Sequence, residues 1–432
     1  MKFYIETYGC QMNISDSELI STILTESGHV PALSLDDAEL IVFNTCSVRQ
    51  HAEDRVLGRI SNEKVRKLSN PNLKIVVVGC MAQRLGETLL KPGSGVDLVL
   101  GVDQYARLPE LLEASTGRAA VTEMNSEEVY HQFIPTHQDP HCAFITIMRG
   151  CNNFCTYCIV PHVRGRERSR PHQEIITDFE EAITTGHRDI TLLGQNVNSY
   201  NDGVLDFPSL MEMLAQREDK FRLRYITSHP KDLSDRLIEV MAKYSSISKH
   251  IHLPLQSGDD YILKRMNRHY DLEQYLTIVD KLRNAMPDIA ITTDLIAGFP
   301  GESQEQFENT LAVMRRVRYD YAFCFKYSNR EGTSAAELVD QVPESMRLAR
   351  LQDMINLQRA ITLEKFQAKI GTEVEIYVES LSRKSDLEVS GKTDDYKIAV
   401  VKSDRSQIGS FVKARVVSAT AGTLLCEPLD SV

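Results

Sequence analysis

Unbroken apolar runs separated by amphipathic stretches fill the first quarter of the chain. Three such runs lie in YIETYGC, AELIVFNTC and LKIVVVGC, and a fourth spans Val96–Gly101. Apolar runs without alternation are typical of parallel strands that are covered on both faces. Residues 16–25 and 52–68, between these runs, have helical periodicity. This β-α-β-α-β order predicts a doubly wound parallel α/β domain, which we assign to residues 1–135.

Strand-like and helical stretches alternate again through the middle of the chain. The strand-like runs are Ala143–Met148, DITLLGQN, RLRYITSHP, HIHLPLQS, AITTDLIAGFPG and YDYAFCFKYS. The helical stretches between them cover residues 173–185, 232–244, 272–285 and 303–317. This pattern predicts a partial (β/α)6 TIM-like barrel within residues 136–368. Active residues of such barrels lie at the carboxyl ends of the strands.

A long helical pattern and five short strands complete the chain. The helix begins at Glu344 and ends near Gly371. Its predicted apolar stripe consists of Leu348, Leu351, Ile355, Ile361 and Phe366. The short strands with polar turns predict a small closed β-barrel of about 60 residues, over residues 369–432.

Charge and composition restrict the class of protein. The chain has 432 residues and a formal net charge of −11, which argues against a broadly basic nucleic-acid coat but permits local basic patches. No apolar run approaches the roughly 18 residues of a membrane span, and the N-terminus lacks the apolar stretch of a secretory signal. We therefore expect a cytoplasmic protein without a membrane partner, and we expect it to be a monomer.

Three cysteines stand where predicted strands of the first domain end. They are Cys10, Cys46 and Cys80. Ligands of such sheets bind outside the carboxyl ends of the strands, and neighbouring strands lie about 5 Å apart. Because nine cysteines are too few for a disulfide scaffold, this placement predicts a three-thiol metal site. The alternative is that each cysteine is a small buried apolar residue.

A second group of cysteines follows the first strand of the predicted barrel. Cys151, Cys155 and Cys158 form a C-x3-C-x2-C loop, which can hold an iron–sulfur cluster and leave one iron without a protein ligand. The alternative is structural zinc, with His162 as the fourth ligand. The remaining cysteines are assigned to packing: Cys142, Cys324 and Cys426.

Polar side chains also gather at the predicted carboxyl ends of the barrel strands. They are Gln195, Asn196, Ser228, His229, Gln256, Ser257 and Glu302. Each alone is more often a turn or cap residue. As a ring they are candidate contacts for a cofactor and a substrate. We assign the cofactor contacts to Gln195, Asn196, Ser228 and Gln256.

The C-x3-C-x2-C loop resembles that of the radical S-adenosylmethionine enzymes. This resemblance implies a 4Fe–4S cluster whose open iron chelates S-adenosylmethionine and whose reduction cleaves that cofactor to a 5′-deoxyadenosyl radical. Tyr157 matches the position that contacts the adenine of the cofactor. Asp294, Ile296 and Gly298 resemble the superfamily's Gly-x-Ile-x-Gly strand, with Asp in place of the first Gly. Ile296 is therefore a further cofactor contact by resemblance.

The order of the three parts resembles the methylthiotransferase family, in which the C-terminal barrel is the RNA-binding TRAM domain. This resemblance implies a second, auxiliary 4Fe–4S cluster, held by Cys10, Cys46 and Cys80. Its open iron would carry the sulfur destined for the product, so these three cysteines are the candidate catalytic residues. TYGCQMN resembles the branch of the family that acts on isopentenyladenosine beside the tRNA anticodon.

The resemblance also implies a reaction and partners. The isopentenyladenosine branch inserts sulfur and methylates at C2, which gives 2-methylthio-N6-isopentenyladenosine. The expected partners are the tRNA anticodon stem-loop and a reductant protein such as a flavodoxin. Other branches act on threonylcarbamoyladenosine in tRNA or on an aspartate of a small-subunit ribosomal protein. A non-enzymatic RNA-binding module with structural metal sites is a further alternative.

Two basic groups are candidate RNA or cofactor contacts. The first follows the second cysteine group and consists of Arg164, Arg166, Arg168 and Arg170; ion pairing with nearby acids such as Glu167 is the alternative. The second is a predicted patch on the C-terminal barrel, formed by Arg383, Lys384, Lys392, Lys397 and Arg405. Arg49 and Arg84 follow cysteines of the first group and are candidates to tune a cluster or contact RNA.

Overall fold

The N-terminal part of the chain folds into one parallel sheet flanked by helices. The structure is a computed structural model that describes residues 1–47, 50–114 and 117–429. The first elements are β1 Lys2–Thr7, α1 Gln11–Glu26, β2 Val30–Pro31, β3 Leu40–Thr45, α2 Gln50–Arg66, β4 Lys74–Gly79, α3 Cys80–Leu85, β5 Leu98–Leu100, α4 Leu108–Glu113 and β6 Ala119–Val121. Neighbouring strands are parallel, in the order β2-β1-β3-β4-β5-β6.

Buried apolar residues cover both faces of this sheet, which confirms the predicted doubly wound fold. On one face Val76 of β4 lies in a cluster with Ile23 of α1, and on the other face Val77 lies in a cluster with Ile60 of α2. The edge strands β2 and β6 were not predicted. They have two and three residues, too few for a periodic pattern to be recognised. Arg49 lies outside the described residues.

The central part alternates strands and helices, as predicted. Its strands are β7 Cys142–Thr146, β8 Met148–Arg149, β9 Arg168–Ser169, β10 Asp189–Leu193, β11 Arg222–Tyr225, β12 His250–His252, β13 Ala290–Ala297 and β14 Tyr321–Lys326. Its helices are α5 Val160–Arg164, α6 His172–Thr184, α7 Phe207–Ala215, α8 Asp235–Lys243, α9 Asp260–Arg265, α10 Leu272–Ala285, α11 Gln304–Val317 and α12 Glu344–Gln367.

Six parallel strands form the wall of an open barrel. Three are ordered β11-β10-β7 and three are ordered β12-β13-β14. Backbone hydrogen bonds between the two halves run from Leu223 N to Ser246 O at 2.7 Å and from Ser248 N to Leu223 O at 2.9 Å. This arrangement confirms the predicted partial (β/α)6 barrel. The short antiparallel pair β8–β9 flanks the C-x3-C-x2-C loop.

Helix α12 leads from the central barrel to the C-terminal part, and its buried stripe differs from the predicted one. Leu348 was predicted to be buried but is 48% exposed, whereas Met354 is fully buried. The buried side also contains Gln358, whose Nε2 donates to Tyr319 O at 2.9 Å. The buried stripe was predicted from apolar residues alone, so it wrongly included the exposed Leu348 and omitted the buried polar residue Gln358. None of the described helices is long and apolar enough to cross a membrane.

The C-terminal part is a closed five-stranded barrel, as predicted. Its strands are β15 Glu373–Leu381, β16 Glu388–Thr393, β17 Ile398–Lys402, β18 Phe411–Ala419 and β19 Leu424–Pro428. They close in the order β15-β16-β17-β19-β18. Cys426 is buried in the core of this barrel, in agreement with its assignment to packing.

The C-terminal barrel covers the amino end of the central barrel. The ring of Tyr396 lies 4.9 Å from the ring of His250, and the Arg224 guanidinium lies 4.3 Å from the centre of the same tyrosine. Arg222 Nη1 donates to Lys392 O at 2.8 Å. The carboxyl ends of the central strands are therefore left for the site.

Only some residues of the predicted basic patch on the C-terminal barrel are exposed. Lys397 is buried, and its Nζ lies 2.9 Å from Asp320 and 2.7 Å from Asp395. Lys392 pairs with Glu379 at 3.0 Å. These two lysines face acids at the domain interface, so their inclusion in an RNA-binding patch was wrong. The exposed members of the patch are Arg383, Lys384 and Arg405.

Candidate active site

The first cysteine triad lies at the carboxyl ends of three adjacent strands. Cys46 follows β3 directly, Cys80 follows β4 directly, and Cys10 follows β1 after two intervening residues. The strands are in register there, because Thr7 pairs with Asn44 and Thr45 pairs with Gly79. The topology therefore brings the three predicted ligands to one edge of the sheet, where the sequence placed them.

Asparagine side chains fix the turn that carries Cys10. Asn13 Oδ1 accepts from the Cys10 backbone N at 3.3 Å and from its thiol at 3.5 Å. Asn13 Nδ2 donates to Asn44 Oδ1 at 3.1 Å and to Thr45 O at 3.2 Å. These bonds join the turn after β1 to the end of β3, one residue before Cys46.

Glycines permit the close approach of these turns. Gly9 has φ +146°, and a Cβ there would lie 2.8 Å from the Cβ of Cys46. Gly79 has φ +90°, and a Cβ there would lie 2.5 Å from Thr45 O. Both positions require glycine because of their backbone conformation and their neighbours.

The second cysteine triad lies on a loop held from several sides. Cys151 N donates to Gly165 O at 3.2 Å, and Cys158 N donates to Cys155 O at 2.9 Å. Thr156 Oγ1 donates to Arg265 O at 2.9 Å, which ties the loop to α9. These bonds hold the loop against Gly165, at the end of α5, and against α9.

Arg268 connects the second triad to the predicted cofactor contacts. Its Nη1 lies 3.3 Å from the Cys155 Sγ and 3.4 Å from the Tyr157 hydroxyl. Its Nη2 donates to Pro254 O at 2.9 Å. This buried guanidinium therefore places a positive charge next to a predicted ligand sulfur. Sequence reasoning missed Arg268, which lies 113 positions from Cys155.

A buried ion-pair network connects the two triads. Arg164 Nε donates to the Cys80 Sγ at 3.2 Å, and Arg164 Nη2 donates to Asp16 at 2.7 Å. Arg149, two positions before Cys151, donates to the other oxygen of Asp16 at 2.9 Å. Asp16 thus links α1 of the first domain to both ends of the second cysteine loop.

The pKa values of the thiols reflect burial. Burial raises the pKa of Cys80, and the Arg164 guanidinium opposes that shift. Burial, followed by the neighbouring Cys155, raises the pKa of Cys158 to about 12. These thiols are protonated in the absence of a ligand at neutral pH, so binding of a metal group must displace their protons.

The predicted cofactor contacts lie in three kinds of environment. Gln195 Oε1 accepts from Gly150 N beside the second triad. Asn196 Nδ2 donates to Asp232 at 2.7 Å, whereas the buried hydroxyl of Ser228 has no hydrogen-bond partner among the described residues. Unsatisfied polar atoms of this kind suit a ligand.

Gln256 and Ile296 are joined through their backbones. Ile296 N donates to Gln256 O at 2.9 Å, and Gln256 has a left-handed φ of +73°. Ile296 packs in the same apolar cluster as Tyr157. The structure thus brings these three predicted cofactor contacts close to the second triad.

The basic run after the second triad is largely paired within the protein. Arg168 pairs with Asp103 at 3.0 Å and Arg170 with Asp178 at 2.8 Å, as Arg164 does with Asp16. The ion-pair alternative therefore holds for these three, although none of the three partners is Glu167. Asp16 and Asp103 are distant in sequence, whereas Asp178 lies eight positions after Arg170. Arg166 is exposed and lies over the ring of Phe154 at 4.2 Å.

In the part of the chain that the structure describes, the second triad and His162 are not arranged as a tetrahedral zinc site. In the described residues, ligand atoms within 4.8 Å of one another occur at Cys142, Asp189 and Glu379, not at the triad with His162. The two carboxylates of that group already pair with Arg224 and Lys392. An added cation would have to compete with these two side chains.

The donor sets of the two triads fit iron–sulfur clusters. Each offers three thiols and no carboxylate, which suits iron–sulfur chemistry. Each also has one buried guanidinium at a thiol, Arg164 or Arg268. Arg84 lies in α3, the helix that begins at Cys80, and pairs with Glu53 at 2.7 Å.

Three sequence families match successive parts of the chain. Residues 2–101 match the Uncharacterized protein family UPF0004, residues 145–314 the Radical SAM superfamily, and residues 367–429 the TRAM domain. A protein named tRNA-2-methylthio-N(6)-dimethylallyladenosine synthase from Caldicellulosiruptor saccharolyticus is 44% identical, over 97% of this chain and 90% of that protein. One of the same name from Carboxydothermus hydrogenoformans is also 44% identical, over 96% of both chains.

The chain belongs to the tRNA-2-methylthio-N(6)-dimethylallyladenosine synthase family. A relative in Bacteroides thetaiotaomicron is 42% identical, over 98% of this chain and 95% of that protein. Membership of this synthase family confirms the resemblance that the cysteine motifs indicated. The match to the Radical SAM superfamily supports the predicted cofactors, S-adenosylmethionine and 4Fe–4S clusters.

Solved structures support the fold of this synthase family member. The radical S-adenosylmethionine methyltransferase TsrM from Kitasatospora setae, solved with cobalamin and a [4Fe-4S] cluster bound, aligns with a TM-score of 0.60. It is 12% identical, over 78% of this chain and 74% of that one. The cobalamin-dependent S-adenosylmethionine radical enzyme OxsB aligns with a TM-score of 0.53 and 11% identity, over 83% of this chain and 56% of that one. At such identities the likeness shows the fold alone.

Proposed function

We propose that this chain is a tRNA methylthiotransferase that converts N6-isopentenyladenosine beside the anticodon to its 2-methylthio derivative. Two cysteine triads connected by one buried network carry this proposal, because sulfur insertion at an unactivated carbon requires two cofactor centres near one substrate. The relatives named for this reaction cover nearly the whole chain. The three-thiol donor sets and the C-terminal barrel agree with it.

The proposed ligands divide by domain. Cys10, Cys46 and Cys80 would hold the auxiliary cluster, and the C-x3-C-x2-C cysteines would hold the radical cluster. When bound, the radical cluster and S-adenosylmethionine supply a carbon radical that activates the C2–H bond of the base, and the auxiliary cluster supplies sulfur.

The chain's own residues position these centres and shield them. Arg164 and Arg268 each place positive charge at a ligand thiol, which offsets the negative charge of a bound cluster. Gln195 fixes the backbone before Cys151 through Gly150. The buried contact of Ser15 Oγ with Thr146 Oγ1 at 2.9 Å joins α1 of the first domain to β7 of the central domain.

The cofactor would lie beside the second triad. Tyr157 would contact its adenine, and the unpartnered Ser228 hydroxyl and Asn196 carbonyl would bind its polar groups. Gln256, in the segment after β12, and Ile296 of β13 would line the same space.

Several further features remain part of the proposal. We assign domains to residues 1–135, 136–368 and 369–432. The tRNA anticodon stem-loop is the proposed substrate, and a reductant protein such as a flavodoxin is the proposed electron donor. A monomeric state and a cytoplasmic location complete the proposal.

One assay tests the proposed function. The anaerobically reconstituted protein is incubated with isopentenylated anticodon stem-loop RNA, S-adenosylmethionine and a reductant, and its nucleosides are read by mass spectrometry. We expect a methylthio product, which Cys46→Ala and Cys155→Ala abolish and Cys426→Ala, in the C-terminal barrel, retains. Cofactor cleavage without an RNA product would overturn this substrate assignment. A product from threonylcarbamoyladenosine RNA or the ribosomal-protein peptide would then replace it.

A further inference from the structure

The last strand of the open barrel exposes a row of aromatic side chains. Tyr321, Phe323 and Phe325 alternate along β14 and are 48%, 42% and 37% exposed. Ala322 and Cys324, on the opposite face, pack against the apolar core of the central domain. Three exposed aromatic rings in succession are not needed for that core, so we call them the aromatic row and ask what covers them.

The aromatic row faces the interior of the barrel. Parallel pairing places Phe323 beside Asp294 and Phe325 beside Ile296, and residues paired in this way point to the same face of the sheet. Ile296 packs in the cluster that contains Tyr157 of the second cysteine loop. The row therefore begins next to the proposed cofactor site and continues into the barrel.

The row is accessible because β14 ends the sheet. In the described ranges β14 pairs with β13 on one side and with no strand on the other. The rings of Tyr321 and Phe323 touch edge to face, with centres 4.8 Å apart. Such a surface suits a planar base with an apolar substituent, through stacking and burial of apolar area.

One acid adjoins the aromatic row. The side chain of Asp294 is 29% exposed and lies 3.4 Å from His252 Nε2, and His252 in turn contacts the Phe323 ring at 5.9 Å. Within the described part of the chain, no Lys or Arg nitrogen lies within 4.0 Å of this carboxylate. A negatively charged substituent entering the row would therefore meet a carboxylate that no nearby guanidinium or ammonium neutralises.

We propose that the aromatic row receives the isopentenyl-bearing adenine and that Asp294 disfavours the anionic threonylcarbamoyl substituent. This inference rests on the proposed function and names the side chains that select its substrate. Phe323 and Phe325 supply apolar and stacking contact, whereas Asp294 supplies repulsion. Both attraction and repulsion contribute to specificity in such sites.

Binding of three matched RNAs tests this inference. Fluorescent anticodon stem-loops carry isopentenyladenosine, unmodified adenosine or threonylcarbamoyladenosine at one position, and anisotropy with the anaerobic holoenzyme gives each Kd. We expect Phe323→Ala to weaken binding of the isopentenyl RNA about tenfold and to weaken binding of the unmodified RNA by a smaller factor, because the unmodified base loses only the stacking contact. Asp294→Asn should tighten binding of the threonylcarbamoyl RNA roughly threefold. Tyr261→Ala, an exposed aromatic of α9, serves as the matched control.

The outcomes separate the two proposals. If the wild-type protein prefers the isopentenyl RNA and both Phe323→Ala and Phe325→Ala retain that preference, the aromatic row is not the selecting surface. If the wild-type protein binds all three RNAs equally, the proposed substrate itself is wrong. Iron content equal to that of the wild type establishes that each variant is folded.

Discussion

At the scale of single residues, Arg164 occupies the position where the two cysteine triads meet. Its side chain contacts Cys80 of the first triad and Asp16 of the first domain, and it ends the helix that follows the second triad. A charged N–H donor at a ligand sulfur raises the reduction potential of an iron–sulfur cluster, because it stabilises the more negative reduced state.

This contact predicts a shift in potential. Arg164→Gln removes the charge, so we expect the midpoint potential of the auxiliary cluster to fall by tens of millivolts. The measurement is a redox titration followed by electron paramagnetic resonance, in protein whose second triad is replaced by alanine. Arg217→Gln is the control, because Arg217 is a half-exposed arginine that pairs with Glu180 and Asp219. An unchanged potential in Arg164→Gln would show that the guanidinium does not act on the cluster.

Gly150 gives a second prediction at this scale. Its φ is +78°, and a Cβ there would lie 2.0 Å from Arg166 O. Gly150→Ala should therefore distort the second cysteine loop and reduce bound iron by about half, because one of two clusters is lost. Gly186→Ala provides the control, since Gly186 also has a positive φ but nothing within 4 Å of its Cβ position. Full iron content in Gly150→Ala would contradict the close approach.

The limits of sequence reasoning are visible in these residues. The cysteines were found because each follows a strand-like apolar run. The ion pair between Asp16 and Arg164 was not predicted, because the two residues are 148 positions apart. The sequence around each residue does not indicate that they meet across a domain boundary. For the same reason Lys397 was wrongly included in the predicted basic patch, since its partner Asp320 belongs to another domain.

At the scale of elements, two histidines of the central domain are buried near positively charged side chains. Burial, followed by Arg268, lowers the pKa of His229 to about 2. Burial, followed by Arg224 and His252, lowers the pKa of His250 to about 3. Both are neutral in the folded protein, whereas in the unfolded chain a histidine is protonated below about pH 6.5.

These shifts predict acid sensitivity. Unfolding takes up protons below pH 6.5, so stability falls as the pH drops, by about 1.4 kcal/mol per pH unit for each histidine. His250→Gln should remove one such contribution and flatten the dependence of the denaturation midpoint between pH 6.5 and 5. The exposed His131 supplies the control variant His131→Gln, which should keep the wild-type slope. Equal slopes in all three proteins would contradict the assignment.

Elements differed in how well the sequence predicted them. The strands that carry the first triad, the six barrel strands and the C-terminal strands have long apolar or alternating patterns and were predicted. The prediction missed the edge strands β2 and β6 and the exposed side of α12. Whether these residues pair in the sheet or are buried depends on contacts with distant elements rather than on local periodicity.

At the scale of the whole molecule, the first and third parts contact opposite ends of the central barrel. The first domain brings its triad to the seam with the central barrel, and the C-terminal barrel covers the opposite end through Tyr396 and His250. The aromatic row lines the interior between them. This arrangement leaves the carboxyl ends of the barrel strands as the place where cofactor and substrate would meet.

The central claim is that each triad holds its own cluster, and iron counting in matched variants tests it most directly. The anaerobically reconstituted wild type should contain about eight iron ions per chain. Replacing Cys10, Cys46 and Cys80 by alanine should leave about four, and so should replacing Cys151, Cys155 and Cys158, with Mössbauer spectra of 4Fe–4S type in each. Loss of all iron from either variant, or zinc in place of iron, would contradict the account.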